Sequence, residues 1–191
     1  MSSHWQIRYA ANIIRQGGVI AYPTESVYGL GCDPTNLDAL SHLLALKQRP
    51  YQKGLIMVAS RLEQVAPFLE PLSENIQTQI KTAIGQHITW LLPANDNVSE
   101  LLCGKFPGGV KKVAIRITSF PLIKQLCDNL NSPIISTSAN LSGKHMTYSP
   151  LQIRLQFKDK LDWILPGQLG QQKTPSEIRD AINGTVIRTK I

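Results

Sequence analysis

Four stretches of this 191-residue chain gather side chains able to bind or activate a polar substrate. The first, Pro23-Thr24-Glu25-Ser26-Val27-Tyr28-Gly29-Leu30-Gly31, offers hydroxyls, a carboxylate, a phenol, and glycines that let a ligand approach the backbone closely. It reads equally as an ordinary strand-to-helix loop. The second, Lys47-Gln48-Arg49 with Lys53 nearby, sets cations at a helix C-terminus, where they suit the dipole. The same pair forms a phosphate clamp, a point charge beside a bidentate fork. The third, Ser136-Thr137-Ser138-Ala139-Asn140-Leu141-Ser142-Gly143, strings hydroxyls and backbone N–H groups where a strand ends. Such a run binds anionic oxygen, or simply makes a turn. In the fourth, Val113-Ala114-Ile115-Arg116, a lone arginine interrupts an apolar strand and points to the face opposite its neighbours. A buried guanidinium without a partner is costly, so Arg116 should meet a carboxylate from the protein or from a ligand.

Several chemistries are disfavoured. The chain has no GxGxxG, GxSxG or HExxH, and Gly143-Lys144 lacks both the upstream glycine and the following Ser or Thr of a Walker A loop. Cys32, Cys103 and Cys127 form no CxxC pair, and the histidines at 4, 42, 87 and 145 are scattered. Neither a disulfide framework nor a protein-held metal is expected. Cys32 and Cys127 read as small core residues, Trp90 and Trp163 as core or rim. The N-terminus lacks a basic and apolar leader, and no apolar run approaches the ~20 residues of a membrane span. The expectation is a soluble, reduced, cytoplasmic protein with no membrane partner.

The elements that must position these groups follow from composition and pattern. With 42% hydrophobic and 17% charged residues, the chain can bury a real core as one domain spanning 1–191. A net charge of +7 is compatible with a polyanionic partner, RNA or a nucleotide, and also with a mildly basic domain that binds nothing large. Helices are predicted over 5–15, stopped by Gly17-Gly18; from the Asn36 cap to Lys47, with Leu37, Leu40, Leu43 and Leu44 inward; briefly after Ser60; and over 73–84, 119–130 and 150–157. Strands are predicted over 19–22, 55–59, 88–92, 113–118, 133–136, 163–165 and 185–188, the last after an Asn183-Gly184 hairpin turn. The alternation indicates an α/β fold whose sheet is mixed because of that terminal hairpin. Ligands in such sheets bind where strands end, which is where the polar stretches lie.

Together the stretches resemble one family, the YrdC-like threonylcarbamoyl-adenylate synthases, in its short bacterial form. Pro175-Ser176-Glu177-Ile178-Arg179-Asp180 and Val186-Ile187-Arg188 also match, so the likeness runs over 5–188. The resemblance implies a single-domain twisted mixed sheet with an electropositive concave cleft. It implies synthesis of L-threonylcarbamoyl-AMP from L-threonine, bicarbonate or CO2, and ATP, with release of pyrophosphate. Partner proteins would then transfer the threonylcarbamoyl group to the adenosine 3′ of the anticodon in tRNAs reading codons that start with A. By the same resemblance Lys47, Arg49, Ser138, Asn140 and Arg188 hold ATP, with Lys47 and Arg49 catalytic. Arg116 pairs with the threonine carboxylate, Thr24, Ser136 and Ser176 line its pocket, and Tyr28 stands close by. Mg²⁺ rides on the phosphates, and tRNA or double-stranded RNA is a possible partner. Ser26 stands where many members have Thr, and Lys112 where a smaller hydroxyl residue near ATP is expected. Val58 or Ala59 lies where some longer members place a His, and Pro175-Ser176-Glu177 replaces a Ser-Thr pair. A competing reading is a non-catalytic RNA-binding module in tRNA or ribosome maturation, which needs only the basic face.

Overall fold

A computed structural model describes residues 3–104, 110–141 and 145–189; Ser142 and Gly143 of the third stretch lie outside the described residues. Helix α1 (His4–Arg15) is opened by a capping box between Ser3 and Gln6 and buries Ile7, Ala10, Ala11 and Ile14, the predicted stripe. Helix α2 (Leu37–Lys47) starts where the Asn36 side chain accepts from the Ala39 N–H, and ends at Gln48 in the left-handed conformation. Helices α3 (Glu74–Thr82) and α5 (Pro150–Phe157) are capped by Ser73 and Ser149; α4 (Pro121–Leu130) begins with its proline at the first turn.

The strands are β1 (Ile20–Pro23), β2 (Tyr28–Gly31), β3 (Ile56–Ala59), β4 (Ile88–Pro93), β5 (Lys112–Ile117), β6 (Ile134–Ser138), β7 (Trp163–Ile164), β8 (Glu177–Asp180) and β9 (Val186–Arg188). They form one sheet in the order β7-β1-β2-β6-β3-β5-β4-β8-β9. Five of the pairings are antiparallel and three parallel. The sheet is therefore mixed throughout, not only at the β8–β9 hairpin.

Strand alternation divides the core into two layers. Val19, Ala21, Met57, Ala59, Val113, Ile115 and Ile135 face one cluster with α2, Ile80 of α3, and Ile153 and Phe157 of α5. Ile20, Tyr22, Val58 and Ile134 face the other, beneath α1 and α4. Arg116 and Ser136, one residue from Ile115 and Ile135, therefore belong to the α1–α4 side. The phase that buries the isoleucines sets these polar groups on the part of that face the helices leave uncovered.

Four expectations are corrected. Strand β2 occupies part of the stretch read as a long loop, so the connection between β1 and β2 is only Thr24 to Val27. Its glycines are needed there: a Cβ at Gly31 would meet the Ile135 carbonyl and come within 2.7 Å of the Tyr22 ring. Leu37 is exposed, because at the first turn of α2 it precedes the apolar stripe. Ser60 makes no helix cap; its hydroxyl donates instead towards Gln64 and Asp128. Strand β8, not foreseen, pairs in parallel with β4. The cysteines are buried. Burial, aided by Asp33 and Asp128, pushes the Cys32 and Cys127 thiols up to about 12, leaving both inert at neutral pH.

Candidate active site

A cleft of about 730 Å³ opens over the ends of β6, β3 and β5. Its wall includes Thr24, Arg49, Arg116, Ser136, Ser138 and Ser176, with Arg188 at one side and Met146 and Tyr148 near the mouth. Arg49, Arg116, Lys173 and Arg188 contribute cations, and no Asp or Glu is among the described lining residues. The charges are close enough to be felt. Burial, then Arg188, holds the Arg49 guanidinium below its ordinary value; burial, then Arg116, does the same to Arg188. A wall that crowds like charges favours a polyanion.

Arg116 answers the question posed by its sequence position. Its Nη1 lies 2.8 Å from Glu25 Oε1, both groups largely buried, so a protein carboxylate is present. Thr118 donates to the same Glu25 oxygen at 2.6 Å. Burial opposes the charge on Glu25, but Arg116 and the Thr118 hydroxyl outweigh it and hold the carboxyl below its usual range. His87 Nδ1 also contacts Arg116 Nη1, at 3.0 Å. Ser176 sits across the cleft, its hydroxyl 2.8 Å from that of Thr89 on β4. The Arg188 guanidinium donates to the Ser176 carbonyl at 2.7 Å, so β9 braces the residue at the start of β8. Thr24 closes the β1–β2 turn by donating to the Val27 carbonyl at 2.7 Å.

The phosphate-binding candidates divide into those on the wall and those behind it. Arg49 and Ser138 are on the wall. Arg49 Nη2 donates to the Gly54 carbonyl at 3.0 Å, and its buried Nε has no hydrogen-bond partner among the described residues. Lys47 and Asn140 are not lining residues. The Lys47 ammonium, almost fully buried, donates to the Ser138 and Asn140 carbonyls, the latter at 2.8 Å. Ser138 in turn donates to Asn140 Oδ1 at 2.6 Å. Lys47 thus grips the backbone of the loop that presents Ser138, and its charge lies beneath that loop. Tyr28 is also outside the lining: buried in the core, it aims its hydroxyl at the Gly167 carbonyl, 3.4 Å away. Lys112 is not a lining residue and forms a buried ion pair with Asp180, Nζ to Oδ2 2.5 Å. Val58 is core.

Burial, reinforced by Arg49, lowers the Lys47 pKa from its ordinary 10.5 to about 8. The unfolded chain therefore binds more protons than the folded one between those values, and folding becomes more favourable as pH rises across that window. The charge beneath the loop is lost over the same rise. The KM for a phosphorylated ligand should climb above about pH 8, and Lys47→Arg should flatten that limb. Steady-state kinetics from pH 7 to 9.5, at substrate concentrations spanning KM, tests it.

Sequence reasoning gave no role to His87, to Glu25 as the partner of Arg116, or to the 166–174 segment. That segment lays Gly170, Gln171, Gln172, Lys173 and Thr174 along the cleft. It is fastened to the β1–β2 turn by Gly170 N–H to the Thr24 carbonyl and Gln172 N–H to the Glu25 carbonyl, each 2.9 Å. A Cβ on Gly170 would lie 2.6 Å from the Glu25 carbonyl oxygen and 2.7 Å from its Cα, all backbone. Gly170→Ala should lift this strap, costing ~1–3 kcal/mol of stability and raising KM, as read by denaturant midpoints and kinetics. Glycines and glutamines without periodicity carried no signal for it beyond "loop".

The family model Sua5/YciO/YrdC, described as telomere recombination, matches residues 12–189. A threonylcarbamoyl-AMP synthase of Cellvibrio japonicus is 43% identical over 183 residues, covering 96% of this chain and 95% of that protein. Among solved structures, a variant of P. abyssi Sua5 superposes with TM-score 0.88 at 28% identity, covering 98% of this chain. P. abyssi Sua5 complexed with L-threonine superposes with TM-score 0.83 at 29% identity over 93% of this chain. This chain spans 57% and 51% of those two longer chains.

Proposed function

The chain belongs to the Sua5/YciO/YrdC family, and we propose on that premise that it is a threonylcarbamoyl-AMP synthase. It joins L-threonine, bicarbonate or CO2, and ATP into threonylcarbamoyl-AMP, with pyrophosphate as the leaving group. The observation that carries this reading is the cleft wall itself, where Arg49, Arg116, Lys173 and Arg188 converge without a lining carboxylate. That wall suits two anionic substrates at once.

Threonine's ammonium must lose a proton before its nitrogen can attack the carbon of CO2; a peptide α-amino group titrates near ~8, and that of a free amino acid, beside its own carboxylate, titrates higher. A cleft wall rich in cations favours the neutral amine over the ammonium. A carbamate oxygen then attacks the α-phosphorus of ATP, the new P–O bond forming as the bond to pyrophosphate breaks. Such a step needs alignment and charge stabilisation rather than a side-chain nucleophile. In this reading Arg116 takes the threonine carboxylate, with Thr24, Ser136 and Ser176 around the amino acid. Arg49, Arg188 and the Ser138 hydroxyl take the phosphates. Lys47 and Asn140 act from beneath, holding the backbone that carries Ser138. Mg²⁺ would be held by the phosphates and water, offsetting charge on the departing pyrophosphate.

The product is a reactive mixed anhydride, so it suits prompt transfer by partner proteins to the tRNA adenosine 3′ of the anticodon. The basic composition fits tRNA nearby, and a cytoplasmic setting fits both; among the described residues no helix is long and apolar enough to cross a membrane. Incubation with ATP, L-threonine, bicarbonate and Mg²⁺ tests the reading: pyrophosphate release should depend on threonine. Release that ignores threonine, or none from folded protein, would contradict it and leave an RNA-binding role as the alternative.

A further inference from the structure

The Arg116 guanidinium has five N–H donors and cannot accept a hydrogen bond. His87 Nδ1 stands 3.0 Å from Arg116 Nη1, so Nδ1 must be the acceptor, and a neutral His87 carries its proton on Nε2. The same Nη1 forms an ion pair with Glu25 Oε1 at 2.8 Å. Nη1 is thereby held between the imidazole and the carboxylate. The Nε and Nη2 donors remain, the parallel pair that grips a carboxylate side-on. Arg116 lines the main cleft, where such a carboxylate would arrive.

The alternative arrangement is visible next to it. Glu25 Oε2 is buried and has no hydrogen-bond partner among the described residues. Rotation of the guanidinium to bring Nη2 to Oε2 would close a bidentate Glu25–Arg116 pair, which is the stronger geometry for these two groups. That pair would consume the donors the substrate needs. A second acceptor on Nη1, fixed on the other side, opposes the rotation. His87 is well anchored to do this: its carbonyl accepts from the Glu177 N–H at 3.2 Å, tying it to the β4–β8 junction. Its backbone is left-handed at φ 57°, a conformation uncommon outside glycine that turns the chain into β4.

We propose that His87 is a positioning residue that holds Arg116 in a split geometry, keeping its Nε–Nη2 edge open for the carboxylate of the amino-acid substrate. The inference rests on the synthase reading and adds to it a residue of the cleft lining that acts through Arg116.

The test compares His87→Gly with His87→Asn. Glycine accepts the left-handed backbone without strain and removes the acceptor. Asparagine also tolerates that backbone and restores an acceptor oxygen close to the position of Nδ1. In His87→Gly, KM for threonine should rise about tenfold, the scale of one charge-assisted hydrogen bond, while KM for ATP stays within about twofold. His87→Asn should return the threonine KM to within about threefold of the parent. An unchanged threonine KM in His87→Gly overturns the inference, as does equal impairment of both variants or a parallel rise in the ATP KM. If the parent protein releases no threonine-dependent pyrophosphate, the synthase reading falls first and the inference with it. Active parent protein with an indifferent His87→Gly variant sinks the inference alone.

Discussion

Lys47→Met should lower kcat/KM for ATP by on the order of a hundredfold or more while leaving the fold standing. The magnitude follows from the contacts. The ammonium donates to the Ser138 and Asn140 carbonyls, and charge-assisted hydrogen bonds contribute about 1.5–3 kcal/mol each. These partners are neutral carbonyls, so the folded protein leaves the buried charge without a neutralising carboxylate. Burial pushes its pKa down to about 8, which records that cost. Removing such a charge relieves desolvation at the same time as it frees the loop. The two effects oppose, so unfolding free energy should change by less than about 1 kcal/mol. A cation kept for stability would behave the other way, with a large loss of stability and a proportionate loss of activity. Denaturant unfolding beside ATP kinetics separates the two cases.

Arg116→Met should be the most damaging single change to the amino-acid side. It removes the proposed carboxylate ligand and strands Glu25, which is largely buried and held by Arg116 and Thr118. Breaking a buried pair from one side costs about 3–5 kcal/mol, a large part of a domain's stability. Activity lost by unfolding must be distinguished from activity lost at the site. The double variant Glu25→Gln with Arg116→Met does so, because it removes the stranded charge. Stability should recover by at least half, read from denaturant midpoints, while threonine-dependent turnover stays at background. Recovered turnover in the double variant would show that Arg116 serves only to neutralise Glu25.

Much of this site was legible in the sequence because strand periodicity is strict. The phase that buries Val113, Ile115 and Ile117 must turn Arg116 to the opposite face, and a buried arginine must find a carboxylate. What the pattern could not say was which carboxylate, since Glu25 is 91 residues away and reaches Arg116 only across the sheet. The Asn36 and Ser73 caps, the Ser149-Pro150 helix start and the α1 stripe are local signals and were readable. Strand β2 was hidden for a physical reason: Gly29 and Gly31 look like loop residues, and only the nearby Thr24 and Tyr22 side chains and the β6 backbone explain them. Strand β8 was hidden because Glu177-Ile178-Arg179-Asp180 is polar, and its pairing with β4 is settled by long-range register.

Lys47 shows the limit of reading roles from residue type. Its place at the C-terminal turn of α2 was clear, and so was its likeness to a phosphate clamp. The structure places its ammonium under the Ser138–Asn140 backbone, and Arg49 on the cleft wall. Lys112, which looked like a departure near the nucleotide, is instead paired with Asp180 away from the lining. Tyr28 is drawn into the core by its position on β2, and its hydroxyl is engaged by a carbonyl outside the cleft. For the two lysines the local pattern indicated the element and tertiary packing chose the direction; for Tyr28 the element itself came from long-range pairing.

The measurement that tests the central claim most directly follows the carbon atom. The protein would be incubated with ¹³C-bicarbonate, L-threonine, ATP and Mg²⁺, and the nucleotide products read by mass spectrometry. A threonine-dependent adenylate carrying the label, formed in step with pyrophosphate, is the predicted result. Pyrophosphate accompanied only by unlabelled adenylate, or labelled adenylate that forms without threonine, would contradict it.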